Sequence, residues 1–161
     1  MEKSCYHKTQ CLCQYSIFSD KIFFGLDLTI APAAAETIAA FFMDTGGSPG
    51  DYDRIFTGDL GEVGSKSLYD LLQKEGCDIS KNHTDCGLLI YDRELQDVHA
   101  GGSGCGCCAS VLCSKILKEM ESKRLKNILF IATGALLSST TAAQSKTIPS
   151  IAHLVELKIR E

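Results

Sequence analysis

The chain has 161 residues, 45% of them hydrophobic, and a formal net charge of −4. That length suits one domain, and that apolar content suits a packed core rather than a disordered chain. No basic run or aromatic-basic ladder is present, which argues against nucleic acid as a partner. No apolar stretch reaches the roughly 18 residues of a membrane span, and the first residues lack an apolar signal core.

Residues 1–22 are polar, rich in cysteine and without period, so no regular element is predicted there and disorder is expected. Ala31-Pro-Ala-Ala-Ala-Glu-Thr-Ile-Ala-Ala-Phe-Phe42 reads as a helix with Pro32 in its first turn. Gly46–Gly50 is a loop, and Arg54–Gly58 a short buried strand. Val63, Leu68, Leu71 and Leu72 mark a second helix that ends near Gly76. Leu88–Tyr91 and Asp97–His99 read as short strands. A third helix is predicted over 104–120, with Cys105, Cys108, Ala109, Leu112, Ile116 and Met120 as its buried stripe. Asn127–Thr133 and Ile151–Ile159 are the last strands, the final one antiparallel. The alternation implies an α/β fold with a mostly parallel sheet and helices on both faces.

Nine cysteines are an odd count, and four of them crowd together at 105, 107, 108 and 113. Neighbours that close on one helix rarely bridge, and a reducing compartment is expected. Paired C-x-x-C motifs are lacking, so neither a metal site nor a cofactor is expected. His83, Asp85 and Cys86 resemble a nucleophile set only superficially, because residues so close in sequence seldom converge. His153 is expected to pack within the last strand.

The most informative stretch is His99-Ala-Gly-Gly-Ser-Gly-Cys-Gly-Cys-Cys108. Four glycines in six residues open an apolar helical repeat. Such a loop lets backbone N–H groups approach an anion, and the helix adds its positive end. No lysine follows the glycines, so a Walker loop is excluded. A tight strand-to-helix turn with no ligand fits the same residues. Asp59 reads as a turn residue or as part of a ligand cavity. His99 reads as a donor to a carboxylate or as a partner of a turn carbonyl.

The order of motifs adds a resemblance. Asp53-Arg-Ile-Phe-Thr-Gly-Asp-Leu-Gly-Glu-Val-Gly-Ser65 is followed by His83-Thr-Asp-Cys-Gly87. Next come Gln96–Cys107, Phe130-Ile-Ala-Thr-Gly-Ala-Leu136 and Ile148-Pro-Ser-Ile-Ala-His153. Together with Ala31–Ile38 these resemble the C-terminal half of the stage V sporulation protein AD family, thiolase-fold proteins of spore-forming bacteria. The resemblance implies a thiolase-like half-domain over 23–161. It also implies binding of dipicolinic acid, alone or with calcium, and its uptake into the developing spore. The location implied is cytoplasmic, peripheral to the inner membrane of the spore, beside membrane proteins of the same operon.

Thiolase-type proteins have two similar halves, so the resemblance further implies a truncated chain. Its missing N-terminal half, or self-association, would cover the third helix. Ligand contacts are expected at His99, Gly101, Gly102, Ser103, Gly104, Asp59 and Thr133. Enzymes of the superfamily carry catalytic groups at three turns of this half, where Asp59, Gly101 and Ala132 stand here. The resemblance therefore implies a non-catalytic protein. The other class left open is an acyltransferase using a cysteine outside the chain, or Cys105.

Overall fold

A computed structural model describes residues 11–18, 26–135 and 148–159. Five strands form one sheet in the order β1-β5-β4-β2-β3. They are β1 (Cys11–Phe18), β2 (Arg54–Thr57), β3 (His83–Asp85), β4 (Asn127–Ala135) and β5 (Ile148–Lys158). β2 pairs in parallel with both β3 and β4, whereas β5 runs antiparallel to β4 and to β1. The sheet is therefore mixed in equal measure, not mostly parallel. The difference comes from β1, which lies in the stretch expected to carry no element. It adds an antiparallel edge with Cys11 opposite Val155 and Phe18 opposite Ile148.

Helices cover both faces, because the strands alternate apolar residues to both sides. Ile55, Leu129 and Ile131 pack with α1 (Leu26–Thr45) and α2 (Gly61–Lys74). Phe56, Ile128 and Phe130 pack on the opposite side with the helix that begins at Cys107. The start of β4 is pinned beside β2 by the Asp53 carboxylate, which accepts from Lys126 N at 2.6 Å and Asn127 N at 3.0 Å.

α1 begins upstream of the expected start, so Pro32 lies inside the helix rather than in its first turn. Without an N–H, Pro32 leaves one intrahelical bond unmade. α2 ends as predicted, through Gly76 at φ +74°. Gly76 N donates to Gln73 O and Cys77 N to Leu72 O, the paired closure of a Schellman turn. Val63 lies on the exposed side of α2, not in the core.

Two expected strands are absent. Residues 86–89 instead form one helical turn, α3 (Cys86–Leu89), capped by Asp85, whose side chain accepts from Gly87 N. That cap turns the chain out of β3 before Leu88–Tyr91 can extend. Residues 97–99 lie in the irregular excursion between α3 and the third helix.

The third helix starts three residues later than expected. It runs as α4 (Cys107–Val111), a π turn (Leu112–Ile116) and α5 (Leu117–Glu121). Its buried residues are Cys107, Val111, Ile116 and Met120. Their steps of four, five and four residues carry the π turn in the middle. The extra residue shifts the sheet-facing stripe, so Cys105 and Ala109 are exposed while Cys108 and Leu112 are half-buried. Among the described residues, no helix is long and apolar enough to cross a membrane.

Candidate functional site

The strand ends of β2 and β4 meet the glycine-rich loop, and Asp59 joins the three segments. Gly58 lies so close to β4 that a Cβ there would stand 2.3 Å from Thr133 Oγ1. That approach lets Asp59 N donate to Thr133 Oγ1 at 3.1 Å, while the threonine hydroxyl donates to Asp59 Oδ1 at 3.0 Å. The other carboxylate oxygen, Oδ2, accepts from Gly104 N at 2.9 Å and Ser103 Oγ at 3.1 Å. An acidic side chain thus takes the Gly104 N–H, one of the loop donors that the sequence offers to an anion.

Of the expected ligand contacts, Asp59, Ser103, Gly104 and Thr133 come together. Gly101 and Gly102 lie in the supporting loop. Gly102 N donates to Gly87 O at 2.7 Å, and Gly101 adopts φ +113°. A Cβ on Gly87 would sit 2.3 Å from Gly102 O, so these two backbones touch directly. His99 stays outside the cluster. Its side chain is 88% exposed at φ +41°, and Nδ1 lies 3.6 Å from Asp97. The excursion is tied to α2 by Glu62, whose backbone N donates to Ala100 O at 2.8 Å and whose carboxylate pairs with Arg93.

Beneath the loop lies a buried polar relay that the spacing of single residues does not reveal. His83 and Asp85 are two apart on β3, so both face the same side of the sheet. Asp85 is fully buried. Its Oδ2 accepts from Thr57 Oγ1 at 2.6 Å and Leu60 N at 3.0 Å. Its Oδ1 accepts from Gly61 N and Gly87 N, both at 2.9 Å. Since the Thr57 hydroxyl donates to Asp85, it accepts from His83 Nε2 at 2.8 Å, and Tyr69 OH donates to His83 Nδ1 at 2.8 Å. This assigns the Nε2-protonated tautomer to His83 from the network alone.

Burial lowers the His83 pKa to about 4, keeping the ring neutral. Burial raises the Asp85 pKa, while the hydroxyl and three backbone donors pull it back down. The sequence signal that could have found the relay is His-Thr-Asp alternation on a strand beside Thr57. Cys86 takes no part in these bonds and sits in the apolar core.

Cys86, Cys107 and Cys108 are poorly placed for nucleophilic work. Burial pushes Cys86 well above its usual range and Cys107 up to about 11, with the nearby Asp59 and Asp85 charges adding to both. Burial and Asp59 raise Cys108 as well. A thiolate is the reactive form, so these groups are suppressed at neutral pH. Among the described residues no group of three or more His, Cys, Asp or Glu side chains converges to hold a metal ion.

Comparison with known proteins gives the arrangement a family. Stage V sporulation protein AD of Bacillus subtilis (strain 168) is 48% identical over 130 residues, which cover 81% of this chain. The match covers 38% of the Bacillus protein, so the chain spans about two-fifths of that relative's length. The sequence profile described as stage V sporulation protein AD matches residues 19–158, which include the Asp59 cluster, the relay and all of β2 to β5. On that match the chain belongs to the stage V sporulation protein AD family.

Proposed function

We propose that this chain is the C-terminal half of a thiolase-like fold that binds dipicolinic acid without acyl transfer and assists its uptake into the developing spore. The observation that carries the reading is the Asp59–Thr133–Ser103–Gly104 cluster at the ends of the parallel strands β2 and β4. Open α/β sheets place ligands at such strand ends. Where superfamily enzymes would act, Asp59 is tied into hydrogen bonds, Gly101 has no side chain and Ala132 packs against the core. Burial holds Cys86 and Cys107 in the thiol form, which supports a non-catalytic role for those two residues.

Dipicolinate is a dianion, and Asp59 opposes its approach to the loop. A calcium chelate of the ligand resolves that conflict, because the carboxylate then faces a cation. Calcium here is cargo, taken by oxygen donors such as Asp59 and the hydroxyls beside it. The face of the third helix carrying Cys108, Ala109 and Leu112 is partly open, which supports pairing with an N-terminal half or a second copy. We place the protein in the cytoplasm at the spore's inner membrane, beside membrane proteins of the same operon.

The test is titration calorimetry with pyridine-2,6-dicarboxylate, with and without calcium. Binding should require calcium and weaken about tenfold or more in Asp59→Ala, with smaller losses in Thr133→Val and Ser103→Ala. Equal binding by all three variants, or thiol-dependent acyl transfer by the chain, would overturn the reading.

A further inference from the structure

We propose that Asp85 is the positioning residue of the Asp59 cluster: it takes the backbone donors that would otherwise draw the Asp59 carboxylate away from the glycine-rich loop. The inference rests on the reading of that cluster as the ligand site. Asp85 is fully buried, so it acts on the cluster through the backbone.

One carboxylate grips the chain on both sides of Asp59. Two residues before it, the Thr57 hydroxyl donates to Asp85 Oδ2 at 2.6 Å. Just after it, Leu60 N donates to the same oxygen at 3.0 Å and Gly61 N to Oδ1 at 2.9 Å. The loop is held from the same point. Gly87 N donates to Oδ1 at 2.9 Å, and Gly87 O accepts from Gly102 N at 2.7 Å, two residues before Gly104. Both partners of the bond between Asp59 Oδ2 and Gly104 N therefore hang from Asp85.

Competition for donors explains the need for a second carboxylate. α2 opens on Leu60, whose side chain cannot cap a helix. The first N–H groups of the helix need an acceptor and carry its positive end. Asp59 lies two residues before Gly61, the spacing at which an aspartate accepts from the backbone in an Asx turn. With Gly61 N unclaimed, the Asp59 side chain would fold back onto it and let go of Gly104 N. Asp85 already holds Gly61 N, so Asp59 stays turned toward Ser103, Gly104 and Thr133.

The test separates position from stability. It reads the Gly104 amide in nuclear magnetic resonance spectra of the ligand-free chain. Asp85→Ser keeps an N-cap for α3 and releases Leu60 N and Gly61 N. Asp85→Thr repeats the change with a side chain better suited to a strand, should Asp85→Ser fail to fold. Asp85→Asn keeps one oxygen for Gly61 N and Gly87 N. In Asp85→Ser and Asp85→Thr the Gly104 amide proton should move upfield and exchange about tenfold faster, the weight of one hydrogen bond. In Asp85→Asn its exchange should stay within about twofold of wild type, although that variant too is less stable. Affinity for calcium dipicolinate should follow the same order, about tenfold weaker in Asp85→Ser and Asp85→Thr and within about twofold in Asp85→Asn. A Gly104 amide unmoved in Asp85→Ser or Asp85→Thr, or displaced as far in Asp85→Asn, would overturn the proposal. Wild-type chain that binds no calcium dipicolinate would remove the ligand reading instead, and the Gly104 amide would still decide the role of Asp85.

Discussion

Replacing Asp85 with asparagine keeps the shape of the side chain and removes its symmetry as an acceptor. The carboxylate accepts two hydrogen bonds on each oxygen. An amide accepts on one side and donates on the other. Turned so that its NH₂ meets Gly61 N and Gly87 N, it leaves both N–H groups without a partner. Turned toward Thr57 and Leu60, it orphans Leu60 N and makes the Thr57 hydroxyl accept from the amide, so that hydroxyl donates to His83 Nε2 and the ring moves its proton to Nδ1, where Tyr69 OH accepts. The second orientation costs less, with one buried donor lost at about 1–3 kcal/mol. The two bonds that remain become neutral and lose part of their strength.

The expected loss is about 2–3 kcal/mol, and about 4 kcal/mol or more for Asp85→Ala. At this chain length that is a fall in Tm of about 5–10 °C for the asparagine variant. The chain has no tryptophan, so urea unfolding at pH 7 is followed by far-ultraviolet circular dichroism and fitted by linear extrapolation. Burying the charge opposes these bonds. An unchanged or higher urea midpoint in Asp85→Asn would show that desolvation outweighs them and would refute the reasoning.

Two further outcomes follow from the same region. With its pKa lowered to about 4, His83 stabilises the fold fully above about pH 6.5 and loses that contribution as pH falls toward 4. The window is worth up to about 3 kcal/mol. Asp85, with a raised pKa, has the opposite slope, so the difference between wild type and His83→Gln isolates the histidine. Urea midpoints at pH 4.5 and 7 should converge in that variant, and an unaltered acid dependence would rule the histidine out. Gly87→Ala should cost about 2 kcal/mol, since its Cβ meets Gly102 O and Asp85 Oδ1. Amide exchange at Gly102 should quicken with it, whereas wild-type protection would show that the two backbones separate freely.

The strands β2, β4 and β5 and the helix α2 are legible because each meets the core with its own period. β4 alternates its apolar residues between two cores, and α2 signals its end with Gly76. Asp59, Ser103, Gly104 and Thr133 are legible as strand-end and loop residues, although only their convergence shows that Asp59 is the loop's own anion. Leu88–Tyr91 misleads because apolar content cannot tell a strand from a turn, and the deciding group is the preceding residue, Asp85. His99 misleads in the same way: proximity in sequence to the glycines did not bring its side chain inward. The β1 strand leaves no periodic trace, because pairing with β5 is a long-range event.

The π turn at Leu112–Ile116 changes how this helix responds to a lost residue. In a regular α-helix, a single deletion rotates everything beyond it by about 100° and turns the buried side chains outward. Here Val111 and Ile116 are five apart, one more than an α-helix needs to keep two residues on the same side. Deleting Ser114 would bring them to a spacing of four. Ile116 and Met120 would keep their orientation toward the sheet. Chains of this family that differ by one residue in this segment can therefore share the same core, and an alignment gap there marks a change of winding rather than a change of fold.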